Sequence, residues 1–272
     1  MKAAAFEYLR PTDLGAALGA LAGAPGAKLL AGGQSLGPML NLRLARPKLL
    51  VDIARLESLR GIADDGVAWR IGAAVTHAEI EDAPTLRGGP LARVAAGIAY
   101  RAVRNRGTIG GSLAHADPAA DWPLALAALD AEVLVRGPHG ERRVAADRFM
   151  TAAFTTALAD DELIDAVRVP KPSAGARFGY FKFCRKTGEF PEASCAALLD
   201  PARRIARLFV GALSGPPTPL PALAQELAER GAAAATQDAV AAALAQAAPQ
   251  LDAVDRRMHG GTTLRAIRQL FA

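Results

Sequence analysis

Two stretches of this chain repeat one pattern: "LLAGGQSLGPML", residues 29–40, and "TIGGSLAHADPAADWPLAL", residues 108–126. Each reads as a short strand, a glycine pair, a small polar residue and an apolar segment. Glycine reaches backbone conformations closed to other residues and, having no side chain, lets a ligand touch the main chain. Successive N–H groups in such a turn form a concave anion site. Ser35 and Ser112 each place a hydroxyl just beyond the glycines. Two such loops facing one another would hold both halves of a pyrophosphate, which suits a dinucleotide. Neither loop has the Lys-Ser/Thr that closes a P-loop, and neither is a GxGxxG fingerprint. A single glycine pair is more often a structural turn; the recurrence brings the ligand reading level with it.

Around these loops strands and helices mix without strict strand–helix–strand alternation, so the expected class is α+β. Thr12-Asp13 starts a helix with Leu14, Leu18 and Leu21 on one face. The segment after Gln34 reads as a helix through Leu40 and Leu44 that stops at Pro47. Asp65-Gly66 supplies the positive φ of a hairpin turn between "LRGIA" and "VAWRIGA", and "PHG" joins a second hairpin, "AEVLVRG" with "ERRVAA". Helices are expected over 76–82, 91–100 and 121–129. A strand ends at Pro170, and "KPSAG" is the best linker, which puts a domain boundary near residue 172. Three strand-like runs follow, then helices that include "TTLRAIRQLF" at the end.

The 272 residues, 51% hydrophobic, are enough for one large or two modest domains with a real core. The net charge of +5 is scattered. Its densest clusters are Arg101, Arg104 and Arg106, then Arg203, Arg204 and Arg207, with no basic stripe interleaved with aromatics. Nucleic-acid binding is therefore not expected; solvated faces or docking to an acidic partner fit those arginines better. Cys184 and Cys195 cannot make a disulfide framework and are expected to be buried, reduced thiols. Four scattered histidines and two cysteines offer no zinc or iron–sulfur site. No signal-peptide core or long apolar span is evident, so a cytoplasmic chain without a transmembrane segment is expected.

The glycine segments and their flanks closely resemble the flavin-binding medium subunits of the molybdenum hydroxylases, the family of carbon monoxide dehydrogenase and xanthine dehydrogenase. Five segments in order carry the resemblance: "AGGQSLGPMLNLRLARPKLLVDI", "IGAAVTHAEI", "RNRGTIGGSLAHADPAADWPLAL", "DELIDAVRVP" and "FKFCRKTGEF". The resemblance implies a two-lobed FAD-binding domain of the vanillyl-alcohol-oxidase-like (PCMH) type over residues 1–172. A smaller α+β domain, with a three-stranded antiparallel sheet and helices, would follow over 173–272. It further implies that Ala31, Gly32, Gly33, Gln34 and Ser35, with Thr108, Ile109, Gly110, Gly111 and Ser112, wrap the pyrophosphate of FAD. Leu29, Leu30 and Leu36 flank the first loop. Thr76 matches another cofactor-contacting position, and Asp121 an acidic residue in polar contact with FAD. Asp121 reads equally as a helix N-cap. Ile164 and Lys182 match positions near the isoalloxazine, where a lysine would stabilise charge developing on the reduced ring. On composition alone, Lys182 is an ordinary strand lysine facing solvent. Phe190, after a small length adjustment, falls where relatives place a residue over the ring. His115 reads as either a cofactor contact or a loop histidine bonded to backbone, and His77 as part of a helix start.

The function the resemblance implies is electron transfer. Noncovalent FAD in this chain would take electrons from two [2Fe-2S] clusters in a small subunit. Those clusters would be fed by a molybdenum-pterin cofactor in a large subunit, and the assembly would be a dimer of heterotrimers. The electrons would pass to NAD+, a quinone or dioxygen. No catalytic side chain and no metal ligand is expected here. Two other readings stay open: a stand-alone FAD-dependent reductase or oxidase on the same fold, and a flavin-free assembly scaffold.

Overall fold

The structure, a computed structural model, describes residues 2–272. A small lobe comes first. Strand β1 (Glu7–Leu9) leads into α1 (Leu14–Gly23), whose first turn is capped by Asp13 accepting from the Ala16 amide at 2.8 Å. Then come β2 (Lys28–Leu30), α2 (Leu36–Asn41) and β3 (Leu49–Asp52). The three strands are parallel, in the order β1-β3-β2. Ala17 of α1 is buried in a core with Val51, Ile53, Leu56 and Leu59, and Leu14 and Leu18 flank it; Leu21 is also buried. The helix expected to run through Leu44 ends at Asn41, because Arg43 takes a positive φ of 57°. Leu44 is left 73% exposed in a loop.

The second lobe is a five-stranded antiparallel sheet. It opens with β4 (Ile62–Asp64) and β5 (Ala68–Gly72), the hairpin marked by Asp65-Gly66, where Gly66 has φ +90°. A helical stretch follows: α3 (His77–Asp82), α4 (Pro90–Ala96), α5 (Arg101–Arg104), α6 (Ile109–His115) and α7 (Asp121–Ala128). The helix expected to reach Tyr100 stops at Ala96, capped at Gly97. Next come β6 (Glu132–Gly137), β7 (Gly140–Ala145), α8 (Ala146–Phe149), the small hairpin of β8 (Met150–Ala152) and β9 (Thr155–Thr156), and β10 (Leu163–Pro170). The sheet order is β4-β5-β10-β6-β7, so the last strand inserts between two hairpins.

The final third is a sheet backed by helices. Strands β11 (Arg177–Phe183), β12 (Ala193–Asp200) and β13 (Ile205–Gly211) are antiparallel neighbours. A two-residue strand, β14 (Thr218–Pro219), adds a fourth to the three expected. Helices α9 (Pro221–Arg230), α10 (Gln237–Ala247) and α11 (Ala253–Arg268) cover one face. Helix α11 starts nine residues earlier than expected, running unbroken through Gly260-Gly261 behind an Asp252 cap. This unit does not stand apart. Phe178, Ala196, Leu198 and Phe209 join the main core of the five-stranded lobe. Arg93 donates to the Phe178 carbonyl at 2.6 Å, and Arg207 pairs with Asp147 at 2.5 Å. No described helix is long and apolar enough to cross a membrane.

Candidate cofactor site

The first glycine loop is an open turn at the end of a parallel strand. The last ladder bond runs from the Ile53 amide to the Leu30 carbonyl at 2.9 Å, after which the chain leaves the sheet. Gly33 turns it with φ +74°, a left-handed value that a side chain resists. Helix α2 begins three residues later, and Ser35, at its cap position, makes no side-chain cap bond. Among the described residues, the amides of Gly32, Gly33, Gln34 and Ser35 donate to no protein acceptor. Gly32 is buried, where unpaired donors are rare; Gly33 and Ser35 are half-buried and Gln34 is exposed. A run of open amides beside a hydroxyl is the donor set a pyrophosphate needs.

The second loop is built differently. No strand precedes it; Thr108 makes a single antiparallel bridge to Thr76, and α6 starts at once. Gly110 and Gly111 therefore sit in the first helical turn, not in a loop after a strand as the sequence pattern predicts. Its amides are used: Ile109 donates to the Val75 carbonyl, Gly110 to Ala73, Ser112 to Thr108, and Gly111 to Thr108 Oγ1 at 3.0 Å. Thr76 caps α3 in the same way, in a reciprocal box with Glu79. The two threonines singled out on the sequence thus have capping duties that the sequence reading did not assign.

Close packing brings the loops together. A Cβ on Gly32 would lie 1.9 Å from the Arg106 carbonyl oxygen, and one on Gly110 2.6 Å from Ala73 Cβ. In each pair the first glycine is the buried one, pressed against another segment. A Cβ on Gly111 would approach Ala31 at 3.8 Å, so the loops touch at that edge. Gly107 in turn leaves room for the ring of His77, whose Nδ1 accepts from Trp122 Nε1 at 3.1 Å. Burial and the nearby Arg104 charge push the His77 pKa down to about 4, so the ring is neutral with its proton on Nε2. His77 was read only as a helix start; here it joins the second loop to the start of α7.

Beside Trp122, Asp121 is 7% exposed and is the first residue of α7 rather than its cap, which is Ala120. Its Oδ1 accepts from Tyr180 Oη at 2.5 Å and from Lys182 Nζ at 2.6 Å. Lys182 is 15% exposed and faces inward, against the composition-only expectation of a solvated strand lysine. Tyr180 was not foreseen; a bond across 59 positions of sequence has no local signature. Burial first, then the Asp121 charge, hold its phenol pKa well above the usual value. Ile164 is buried on β10, the strand against which α6 packs. Phe190 stands apart, 64% exposed in the loop between β11 and β12. Leu29, Leu30 and Leu36 are half-buried around the first loop. His115 packs against Phe154 with ring centres 5.3 Å apart and the planes tilted by 50°.

Several expectations change. Arg101 pairs with Glu81 and Asp82, and Arg104 with Glu81 and the Ile98 carbonyl, so both tie α5 to α3; Arg104 is largely buried there, while Arg101 stays on a solvated face. Arg106 is exposed. Cys195 is buried, and burial pushes its thiol up to about 12, but Cys184 is only half-buried. Among the described residues no cluster of His, Cys, Asp and Glu is placed to hold a metal ion.

Residues 4–172 match the family described as the FAD binding domain in molybdopterin dehydrogenase. The chain is 42% identical over 198 residues to the carbon monoxide dehydrogenase medium chain of Hydrogenophaga pseudoflava, covering 71% of this chain and 69% of that one. It is 37% identical over 271 residues to the 6-hydroxypseudooxynicotine dehydrogenase complex subunit alpha of Paenarthrobacter nicotinovorans, covering 98% and 91%. A solved structure of carbon monoxide dehydrogenase from Hydrogenophaga pseudoflava superposes with a TM-score of 0.88 at 34% identity, covering 100% of this chain and 99% of that one. With the two-lobed fold and the open amide turn, these findings make the chain a member of the FAD-binding medium subunits of the molybdopterin dehydrogenases, the flavoprotein family of carbon monoxide and xanthine dehydrogenases.

Proposed function

We propose that this chain binds FAD noncovalently and serves as the electron-transfer subunit of a three-component molybdenum hydroxylase. The observation that carries the reading is the row of open amides from Gly32 to Ser35, held against the second loop by the Gly32 contact on Arg106. In this reading Ala31–Ser35 bind the pyrophosphate. Thr108–Ser112 form the wall behind it, with Thr76 holding that wall in place. Leu29, Leu30 and Leu36 line the approach; Asp121, Ile164 and Lys182 face the ring end, and Phe190, which stands exposed here, would cover the ring once it is bound. Bound FAD would take up electrons and release them one or two at a time. The chain's part is to bind, orient and shield. Because the Lys182 ammonium is paired with Asp121, it offers the ring a hydrogen-bonded dipole more than a free cation.

We further propose the division 1–172 for the FAD-binding domain and 173–272 for the C-terminal domain. Electrons would come from [2Fe-2S] clusters of a small subunit, downstream of a molybdenum-pterin large subunit, and leave to NAD+, a quinone or dioxygen. Arg106, exposed beside the second loop and without an ion pair among the described residues, would meet a partner. Purifying the chain and recording its visible spectrum, then denaturing it and identifying what is released, tests the reading. Intact FAD is the expected result. Protein that stays colourless alone, with added FAD and after co-expression with its neighbouring subunits would instead favour a flavin-free scaffold. Reduction of the bound flavin by a small substrate with no partner present would favour a stand-alone reductase.

A further inference from the structure

A buried carboxylate needs more than one donor. Taking an ionised group out of water costs several kcal/mol unless hydrogen bonds and an opposite charge replace the solvent. Asp121 meets this need unevenly: both of its donors, Tyr180 Oη and Lys182 Nζ, converge on Oδ1. Among the described residues Oδ2 has no protein donor. The two donors come from β11, while Asp121 begins α7, so the cluster also ties the final third of the chain to the lobes that carry the glycine loops. Tyr180 is itself held at its backbone, where its amide donates to Gln269 Oε1 at 2.9 Å. Burial and the neighbouring carboxylate keep its phenol protonated, so it donates at any working pH.

We infer that Tyr180 is a positioning residue for the flavin site. It occupies Oδ1 together with Lys182 and so holds Asp121 in one rotamer, with Oδ2 as the oxygen left to accept from the cofactor. Without the phenol, Lys182 alone would have to fix the carboxylate, and a single flexible ammonium does so poorly. This inference rests on the FAD reading above and adds to it a residue that the sequence pattern did not mark.

The test uses the full chain and FAD as the probe. Tyr180→Phe keeps the ring and its packing and removes only the donor. The expected result is a Kd for FAD raised about tenfold, the scale of one lost hydrogen bond to a charged group, together with a changed visible spectrum of the bound flavin. In an Asp121→Ala background the same substitution should add nothing, since Tyr180 acts through that carboxylate. Should Tyr180→Phe not fold, 3-fluorotyrosine at position 180 keeps the ring and, with its more acidic phenol, strengthens the bond to Oδ1; it should change the visible spectrum of the bound flavin, and an unchanged spectrum would overturn the inference. A Tyr180→Phe chain with a lowered unfolding midpoint but an unchanged FAD Kd and spectrum would overturn the inference and leave a purely structural tie. Additive losses in the double variant would overturn it too. Failure of the wild-type chain to bind FAD, both alone and co-expressed with its neighbouring subunits, is a separate result, and it removes the underlying reading as well.

Discussion

The two glycine loops look alike in sequence and are different objects in three dimensions. The first is an open turn whose amides point away from any protein acceptor. The second is the first turn of a helix whose amides are all used between Ile109 and Ser112, one by the Thr108 hydroxyl and the others by carbonyls. What they share is the leading glycine, needed in both because another segment passes within van der Waals contact. The comparison separates two uses of glycine: giving a ligand access to backbone donors, and letting two backbones meet. The first loop leaves its amides unpaired and also meets another backbone; the second only meets one.

Substitutions can break this comparison, and the largest effect belongs to Gly32. Gly32→Ala puts a methyl 1.9 Å from the Arg106 carbonyl oxygen and 2.9 Å from Gly107 Cα, backbone atoms that cannot step aside. The loss in urea unfolding should be roughly 3–5 kcal/mol, with FAD uptake abolished. Gly110→Ala meets Ala73 Cβ at 2.6 Å and its carbonyl at 2.7 Å, and should cost about 2–3 kcal/mol. A fully stable Gly110→Ala chain would mean that the helix does not need this contact.

The polar joint behind the second loop gives a pH test. His77 has a folded pKa of about 4 against 6.5 unfolded, so between these values the unfolded chain binds the extra proton. Stability should therefore be full above pH 6.5 and fall with acidification toward pH 4, by about 2 kcal/mol between pH 7.5 and 5. Urea midpoints across that range check it, and His77→Gln should flatten the slope. The second glycines should matter least. Gly33→Ala is strained by its φ of +74° and should cost about 1 kcal/mol. Gly111→Ala presses only on the Thr108 hydroxyl at 2.8 Å; with alanine's better helix propensity the net change should stay within about 0.5 kcal/mol. A Gly111→Ala loss equal to that of Gly32→Ala would erase the distinction drawn between the loops.

The hairpins were legible because Asp65-Gly66 and the "PHG" turn declare themselves locally, and so were the strand-like apolar runs that become β10 to β13. The family was legible because five motifs stand in order. A glycine pair, by contrast, carries little by itself: Gly260-Gly261 lies in mid-helix, and Gly88-Gly89 in the turn before α4. The second loop was misread as following a strand because its real predecessor is one bridge between Thr76 and Thr108, a contact across 32 residues. Leu44 fits the helical spacing begun at Leu40, yet the helix is cut by Arg43 at positive φ, which no residue type in that segment announces. Asp121 satisfied the rules for a cap and is instead the acceptor of a long-range cluster. Such contacts are set by packing of distant elements, and periodicity does not encode them.

Hydrogen–deuterium exchange of the chain with and without FAD tests the central claim most directly. The account predicts that a peptide covering residues 31–36 exchanges fast in the free chain and becomes protected when FAD is added. A peptide covering residues 109–113 should be protected in both states. Protection gained on 109–113 while 31–36 keeps exchanging freely would contradict the assignment of the first loop as the pyrophosphate cradle.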